Sequence, residues 1–288
     1  MSARSTSVRE HRFPLTDAPR SIDVRNAAGS VTVRAVEEAT EVVVRLAARN
    51  AAAEEVLDRV DLFLTSSALR VAVPERRLAR TPEMAVEVLT PPGAAVTVRA
   101  ASAEVDLHGR LGAAELTTAS GDASVEHCTD LQARTASGDV RLGVVDARAV
   151  VATASGDVRL ESAGGPLDVR TASGDVTIGD AAHDASVSTA SGDITVGRVR
   201  RGTVQLKTVS ADATVGVERG LRVWLDVQSV AGRLSSDLDD EGPGIGGAGG
   251  AGPADVTVLL RSVSGDLRLR RATPRPPQPP APLTPPAV

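Results

Sequence analysis

Tyrosine is absent, tryptophan occurs once and phenylalanine twice, so aromatic residues make up 1% of the 288-residue chain. That scarcity excludes a cleft lined for stacking on sugars, bases or cofactor rings. Lysine is as rare: Lys207 stands alone among 32 basic residues, against 37 acidic ones. The net charge of −5 removes the basic excess that a nucleic-acid groove needs, and no phosphate-binding loop ends in Gly-Lys. The single cysteine, Cys128, cannot form an internal disulfide, so cysteine content gives no sign of an oxidising compartment. No run of 18 apolar residues occurs, which predicts no membrane-spanning helix. Residues 1–15 lack the apolar core of a secretory signal, so the expected compartment is the cytoplasm.

What the chain does contain is a repeat. Thr-Ala-Ser-Gly-Asp occurs five times, ending at Asp122, Asp139, Asp157, Asp175 and Asp193, with spacings of 17, 18, 18 and 18 residues. Degenerate copies follow at Thr208–Asp212, Ser229–Arg233 and Ser262–Asp266, and Ala100–Glu104 precedes them. Counted from the Asp column, positions +1 and +3 are apolar and +2 is polar, as in Val140-Arg141-Leu142 and Val158-Arg159-Leu160. Positions −8 and −6 are apolar as well, as in Leu131/Ala133 and Leu167/Val169. Alternation with period two marks half-buried strands on both sides of the pentapeptide. Within the turn, Gly is expected to supply a positive φ, and Ser and Asp to bond nearby amides.

A unit of about 18 residues cannot bury its own apolar face, so neighbours must stack. The predicted fold class is all-β, a single-stranded β-solenoid (β-helix) of eight or nine such coils with a β-rich N-terminal cap. Residues 1–19 read as an extension and 20–99 as the cap, rich in strand-like segments such as Ser21–Arg25 and Ala85–Leu89, with one short helix within 51–60. Residues 100–271 carry the coils, interrupted at 239–253 by a loop with seven glycines. Eight prolines among the last seventeen residues make 272–288 a polyproline-type disordered tail.

The Ser-Gly-Asp-Val repeats, with Asn26–Val33 and Val86–Gly93, resemble the bacterial "putative adhesin" β-strand-repeat family over most of residues 20–271. The resemblance implies the repeat fold and an adhesin-like role, without a biochemical activity.

Stacked coils place Asp122, Asp139, Asp157, Asp175, Asp193, Asp212 and Asp266 in one column about 4.8 Å apart. Neighbouring carboxylates would repel by roughly 1 kcal/mol in water, so backbone amides, solvent or cations must offset them. The spacing lacks the nine-residue pattern of calcium-binding β-rolls, and Arg233 interrupts the column, so the aspartates read as turn stabilisers and no metal or other cofactor is expected. The threonines at −4, from Thr118 to Thr208, should point inward toward the turn, which argues against a water-ordering outer array. His11, His108, His127 and His183 are scattered, and Cys128 points away from its neighbour His127, so no catalytic set is expected. Paired carboxylates for glycoside cleavage would be a local exception to the repeat, and none is seen.

Arg134 and Arg170 at −5, with Arg141 and Arg159 at +2, form the expected interaction face for an acidic protein or polymer partner. The function expected is therefore a non-enzymatic scaffold. Two alternatives are a filament that self-associates through coil ends, and a ligand-binding or polysaccharide-active site in the N-terminal region.

Overall fold

The computed structural model describes residues 7–14, 20–65, 67–75, 80–238 and 254–272. The Gly-rich segment 239–253, the Pro-rich tail beyond Ala272 and most of the N-terminal extension lie outside the described residues. The strands are β1 (Val8–Pro14), β2 (Ser21–Asn26), β3 (Ala28–Ala35), β4 (Glu41–Ala48), β5 (Asp61–Leu64), β6 (Ala68–Ala72), β7 (Glu83–Thr90), β8 (Ala95–Ala100), β9 (Glu104–Thr117) and β10 (Ala123–Arg134). They continue as β11 (Val140–Val145), β12 (Ala149–Ala152), β13 (Val158–Ala163), β14 (Leu167–Arg170), β15 (Val176–Ala181), β16 (Ala185–Ser188), β17 (Ile194–Val199), β18 (Gly202–Lys207) and β19 (Ala213–Val217). The last four are β20 (Val223–Ala231), β21 (Leu234–Ser236), β22 (Val256–Ser264) and β23 (Leu267–Arg271). One short helix, α1 (Ala51–Val56), is capped by the Asn50 side chain, which accepts from the Ala53 amide at 2.8 Å.

The fold is all-β, a long parallel sheet of β-helix-like character. Strands β11, β13, β15, β17 and β19 stack in one parallel ladder, and β12, β14, β16 and β18 in a second. A rung is one strand of each ladder with the pentapeptide turn between them. The inward residues Val158, Val176 and Ile178 are sealed from solvent, as are Val151, Val169 and Val187 from the other ladder. Burying each such side chain contributes about 1.5–3 kcal/mol. No aromatic side chain lies fully inside: Phe63 and Trp224 are exposed and Phe13 is half-buried against the core.

A third inward column lies beyond the two that alternation predicts. From β10 to β17 the ladder skips one residue in each rung, for example between Leu142 and Val144, and the next inward residues are Cys128, Val145, Ala163, Ala181 and Val199, a column that Val217 continues without a skip. Skipping a residue shifts the phase of the inside-outside pattern, so alternation counted from the turn loses this column.

The expected positive φ occurs at Gly232 and Gly265 of two degenerate copies, whereas the glycines of the five full pentapeptides have a different role. Gly121, Gly138, Gly156, Gly174 and Gly192 are not among the glycines with positive φ. A Cβ on Gly156 would lie 1.9 Å from the Gly138 carbonyl oxygen, and one on Gly174 would lie 2.0 Å from that of Gly156. Glycine is needed because successive turns stack backbone on backbone.

At both ends the order of rungs in space departs from their order in the chain. Strands β22 and β23 insert between β18–β19 and β20–β21, so the last rung in sequence is the penultimate one in space. At the other end β2 pairs with both β6 and β8, and β3 with both β7 and β9, so the first rung in sequence is likewise sandwiched. Within the region read as a cap, β2–β3 and β6–β7 are thus two further rungs, more than the eight or nine coils expected. The cover itself is antiparallel: β4 on β7, β1 on β4 and β5 on β6, with α1 adding buried Ala53 and Val56.

Candidate interaction surface

Each residue of the Thr-Ala-Ser-Gly-Asp turn has a defined bond. The threonine hydroxyl accepts from the glycine amide three residues on, at 3.0 Å in Thr118, Thr135, Thr153 and Thr171 and at 3.1 Å in Thr189. These side chains turn inward, as expected. The serine amide donates to the alanine carbonyl of the preceding rung, as Ser155 does to Ala136 at 3.0 Å. Where the repeat degenerates this set is incomplete: Thr208, followed by Ala211 in place of glycine, and Ser262 keep buried hydroxyls with no partner.

The aspartates form a continuous ladder. Oδ1 of Asp122 accepts from the Asp139 amide at 3.0 Å, Asp139 from Asp157 at 3.0 Å, Asp157 from Asp175 at 3.0 Å and Asp175 from Asp193 at 2.9 Å. The series runs on from Asp193 to Asp212 at 3.0 Å and from Asp212 to Asp266 at 2.8 Å, and it ends with Asp266 accepting from the Arg233 amide at 3.0 Å. The main-chain carbonyl of each aspartate points the other way, as Asp157 accepts from the Val140 amide at 2.8 Å. Each residue therefore ties its rung to both neighbours, and charge-assisted acceptance from an amide offsets the repulsion along the column. Arg233 does not interrupt this column. It stands on the last rung in space, where a further carboxylate would have no amide above it.

Removing one step should be measurable. Asp157→Ala is expected to lower unfolding free energy by about 1–2 kcal/mol, because it strands the Asp175 amide and removes a charge-assisted bond. Asp157→Asn keeps an oxygen acceptor and should lose less than half of that. Urea denaturation followed by circular dichroism separates the two, and equal losses would mean that the carboxylate does not act through the Asp175 amide.

The four arginines read as one face lie on two. Arg141 and Arg159 are ladder neighbours on the side that follows the turn, whereas Arg134 and Arg170 lie on the side that precedes it, each paired with Ala152 between them. Carboxylates accompany three of them: Arg141 bonds Asp139 at 3.0 Å and reaches Asp122 at 3.4 Å, Arg159 bonds Asp157 at 3.2 Å, and Arg170 grips Asp168 at 2.8 and 3.2 Å. Arg134 donates to the Gln132 side-chain oxygen in the amide orientation that satisfies both groups. All of these pairs are largely exposed, where an ion pair contributes about 0–1 kcal/mol, so a partner can exchange them readily.

A denser basic group forms where the chain order is permuted. Arg70, Arg25 and Arg99 come from three successive rungs and surround Asp23, at 3.9, 3.7 and 3.5 Å. Three guanidiniums around one carboxylate leave a local positive excess. The residues are far apart in sequence, and only the stacking of β6, β2 and β8 joins them, so no motif in the chain could have pointed to it.

Of the histidines, His108 and His127 line one groove with Glu126, and His183 lies outside it. His127 Nε2 lies 2.9 Å from Asp146, His108 is 3.7 Å from Glu126, and His183 contacts Arg201 at 2.7 Å. Cys128 is fully buried in the third column, stacked on Val145. Burial, with Asp130 and Asp146 nearby, pushes its thiol up to about 12, which leaves it protonated and inert at neutral pH. Among the described residues no group of three or more His, Cys, Asp or Glu side chains could hold a metal ion. No helix among them is long and apolar enough to cross a membrane.

The family described as Toastrack DUF4097 matches residues 20–270. No functionally curated protein matches the chain. Among solved structures, a "putative adhesin" from Bacteroides fragilis NCTC 9343 is 10% identical with a TM-score of 0.48, covering 93% of this chain and 98% of that one. A "putative adhesin" from Parabacteroides distasonis ATCC 8503 is 12% identical with a TM-score of 0.43, covering 91% and 97%. A "putative lipid binding protein" from the same organism is 10% identical with a TM-score of 0.45, again covering 91% and 97%.

Proposed function

The chain belongs to the Toastrack DUF4097 family, and from that premise we propose that it is a non-enzymatic, adhesin-like interaction scaffold. In this reading it is a β-solenoid with coils of about 18 residues, whose outward side chains meet an acidic protein or polymer. The observation that carries the reading is the regularity of the reactive groups. The aspartates that could do chemistry are periodic, and their oxygens accept bonds from the rungs' own amides. What remains for contact is outward and repeated: Arg141 and Arg159 on one side, Arg134 and Arg170 on the other, and the group of Arg25, Arg70 and Arg99 around Asp23. Such arrays favour an extended anionic partner over a small substrate, because several weak contacts at rung spacing add up along one molecule.

Binding of the full-length chain to immobilised polyglutamate tests the reading. The wild type should bind, with affinity falling as salt rises, and a variant with Arg134, Arg141, Arg159 and Arg170 changed to Ser should bind at least tenfold more weakly. Equal binding by the two proteins, or no binding by the wild type, would overturn the role given to these arginines.

A further inference from the structure

The two ends of the stack are finished differently. At the N-terminal end the inward residues Leu69, Val71, Val86 and Val88 are sealed beneath β4, β5 and α1. The outermost strand there, β1, carries Arg9, Glu10, His11 and Arg12 and ends at Pro14. Hydrogen bonds from Arg45 and Arg12 hold the Glu10 carboxyl below its ordinary pKa. The other outer strand, β5, has four residues. Charge, proline and brevity are the features that keep a strand edge from pairing with another chain.

At the C-terminal rung β21 is as brief, with three residues, but the edge of β20 is long and nearly uncharged. β20 is nine residues long with Asp226 as its one charged residue, and among the described residues β20 and β21 pair only with β22 and β23. Among the described residues no strand pairs with their outer edges. Val258 and Leu260, one rung in, are sealed, yet their column neighbours Leu225 and Val227 are only half-buried, and Leu234 is 50% exposed. Trp224 and Val230 on the same rung are 45% and 84% exposed.

We propose that this rung docks a second copy of the chain, end to end through the same rung. The surface to be matched is the two strand edges of one rung, with the half-buried Leu225 and Val227 at the end of the core between them. A single extended peptide would satisfy one edge and leave the core open, whereas another coil end matches both edges and the apolar gap. The N-terminal end of a second copy cannot serve, because its core is covered and its outer strands are blunted. The matching partner is therefore the same rung, in an isologous pair. A two-fold axis across the end reverses strand direction, so the two copies meet antiparallel, unlike the parallel rungs within each copy. Such a contact closes on itself and stops at two, so it gives a dimer and not a filament. The charges allow the approach: Asp226, Arg233 and Asp237 are of mixed sign, and Arg222 is held by Asp255 at 3.0 and 3.2 Å.

Sedimentation velocity of the full-length chain over a concentration series tests this. The wild type should form an elongated species of twice the 29.5 kDa chain mass. Val230→Lys with Trp224→Lys, at exposed positions that the fold does not need, should raise the dimer dissociation constant at least tenfold. Changing Arg141 and Arg159 to Glu, on the side face, should leave the dimer unchanged, which keeps this result separate from the polyglutamate test. Hydrogen exchange of the wild-type β20 amides, slowing as concentration rises, gives a readout that needs no variant. Four results would overturn the proposal: a wild-type monomer at all concentrations, a dimer that survives the edge changes, open-ended growth, or a dimer lost through the side-face changes.

Discussion

Gly156→Ala is expected to destabilise the protein by about 3 kcal/mol or more. The new Cβ would stand 1.9 Å from the Gly138 carbonyl oxygen, and both atoms belong to backbone, so no side-chain rotation relieves the clash. Relief requires rungs to separate at the turn, where the Asp139 carboxylate accepts from the Asp157 amide at 3.0 Å and the Ala136 carbonyl from the Ser155 amide at 3.0 Å. Overpacking of this kind costs about 1–3 kcal/mol, and loosening the two hydrogen bonds adds to it. Ala154→Gly in the same turn, at an exposed position, should change stability by no more than about 1 kcal/mol. Urea unfolding of the two variants decides the matter. Similar small losses in both would mean that the turns do not stack as closely as the glycines imply.

Ending the chain after Leu238 is expected to release two rungs, although it deletes only one of the described ones. It removes β22 and β23, which lie between β18–β19 and β20–β21, so the remaining strands 223–236 lose every ladder partner they have. Val256, Val258, Leu260, Leu267 and Leu269 leave the core, and Val204, Leu206 and Val215 become exposed. At about 1.5–3 kcal/mol for each buried side chain, the gross burial lost is on the order of 10 kcal/mol, offset in part by the entropy of the freed segment. A net loss of at least about 5 kcal/mol, with rapid proteolysis within 223–236, is the expected result. Ending the chain after Ala272 should leave stability and the digestion pattern unchanged. Residues 223–236 that stay protected in the shorter chain would mean that the rungs stack in their order of sequence.

Sandwiching both sequence-terminal rungs has a physical benefit. In a stack that followed chain order, the first and last coils would hold one neighbour each and fray first. Here β2–β3 and β22–β23 have partners on both sides, and the outermost positions fall to segments tethered at both ends by described strands or by the chain between them.

Much of this was legible in the chain. Alternation on either side of Ser-Gly-Asp located the strands from Leu131 to Val215 and their inward residues, because a half-buried strand must alternate whatever it packs against. The N-terminal segments Ser21–Arg25 and Ala85–Leu89 fall within β2 and β7 for the same reason. The inward threonines followed from the phase of the alternation. The column of Cys128 and Val145 did not, because the ladder skips a residue and the phase changes where no residue type marks it. The need for glycine in the turn was visible, but its reason was not: the close carbonyl belongs to the neighbouring rung.

The sequence by itself determined the repeating unit, the residues that face inward on either side of the turn and the column in which the aspartates stand, since each depends on interactions within one coil or on the spacing between identical ones. Only the tertiary structure decided which coil lies on which. Near-identical rungs present equivalent edges to one another, so a local pattern cannot encode their order. The order is set where the repeat ends, by which segment can be covered and which can complete the core. That choice turns Arg233 from an interruption into the last step of the aspartate ladder, gathers Arg25, Arg70 and Arg99 around Asp23, and leaves β20 at the open end.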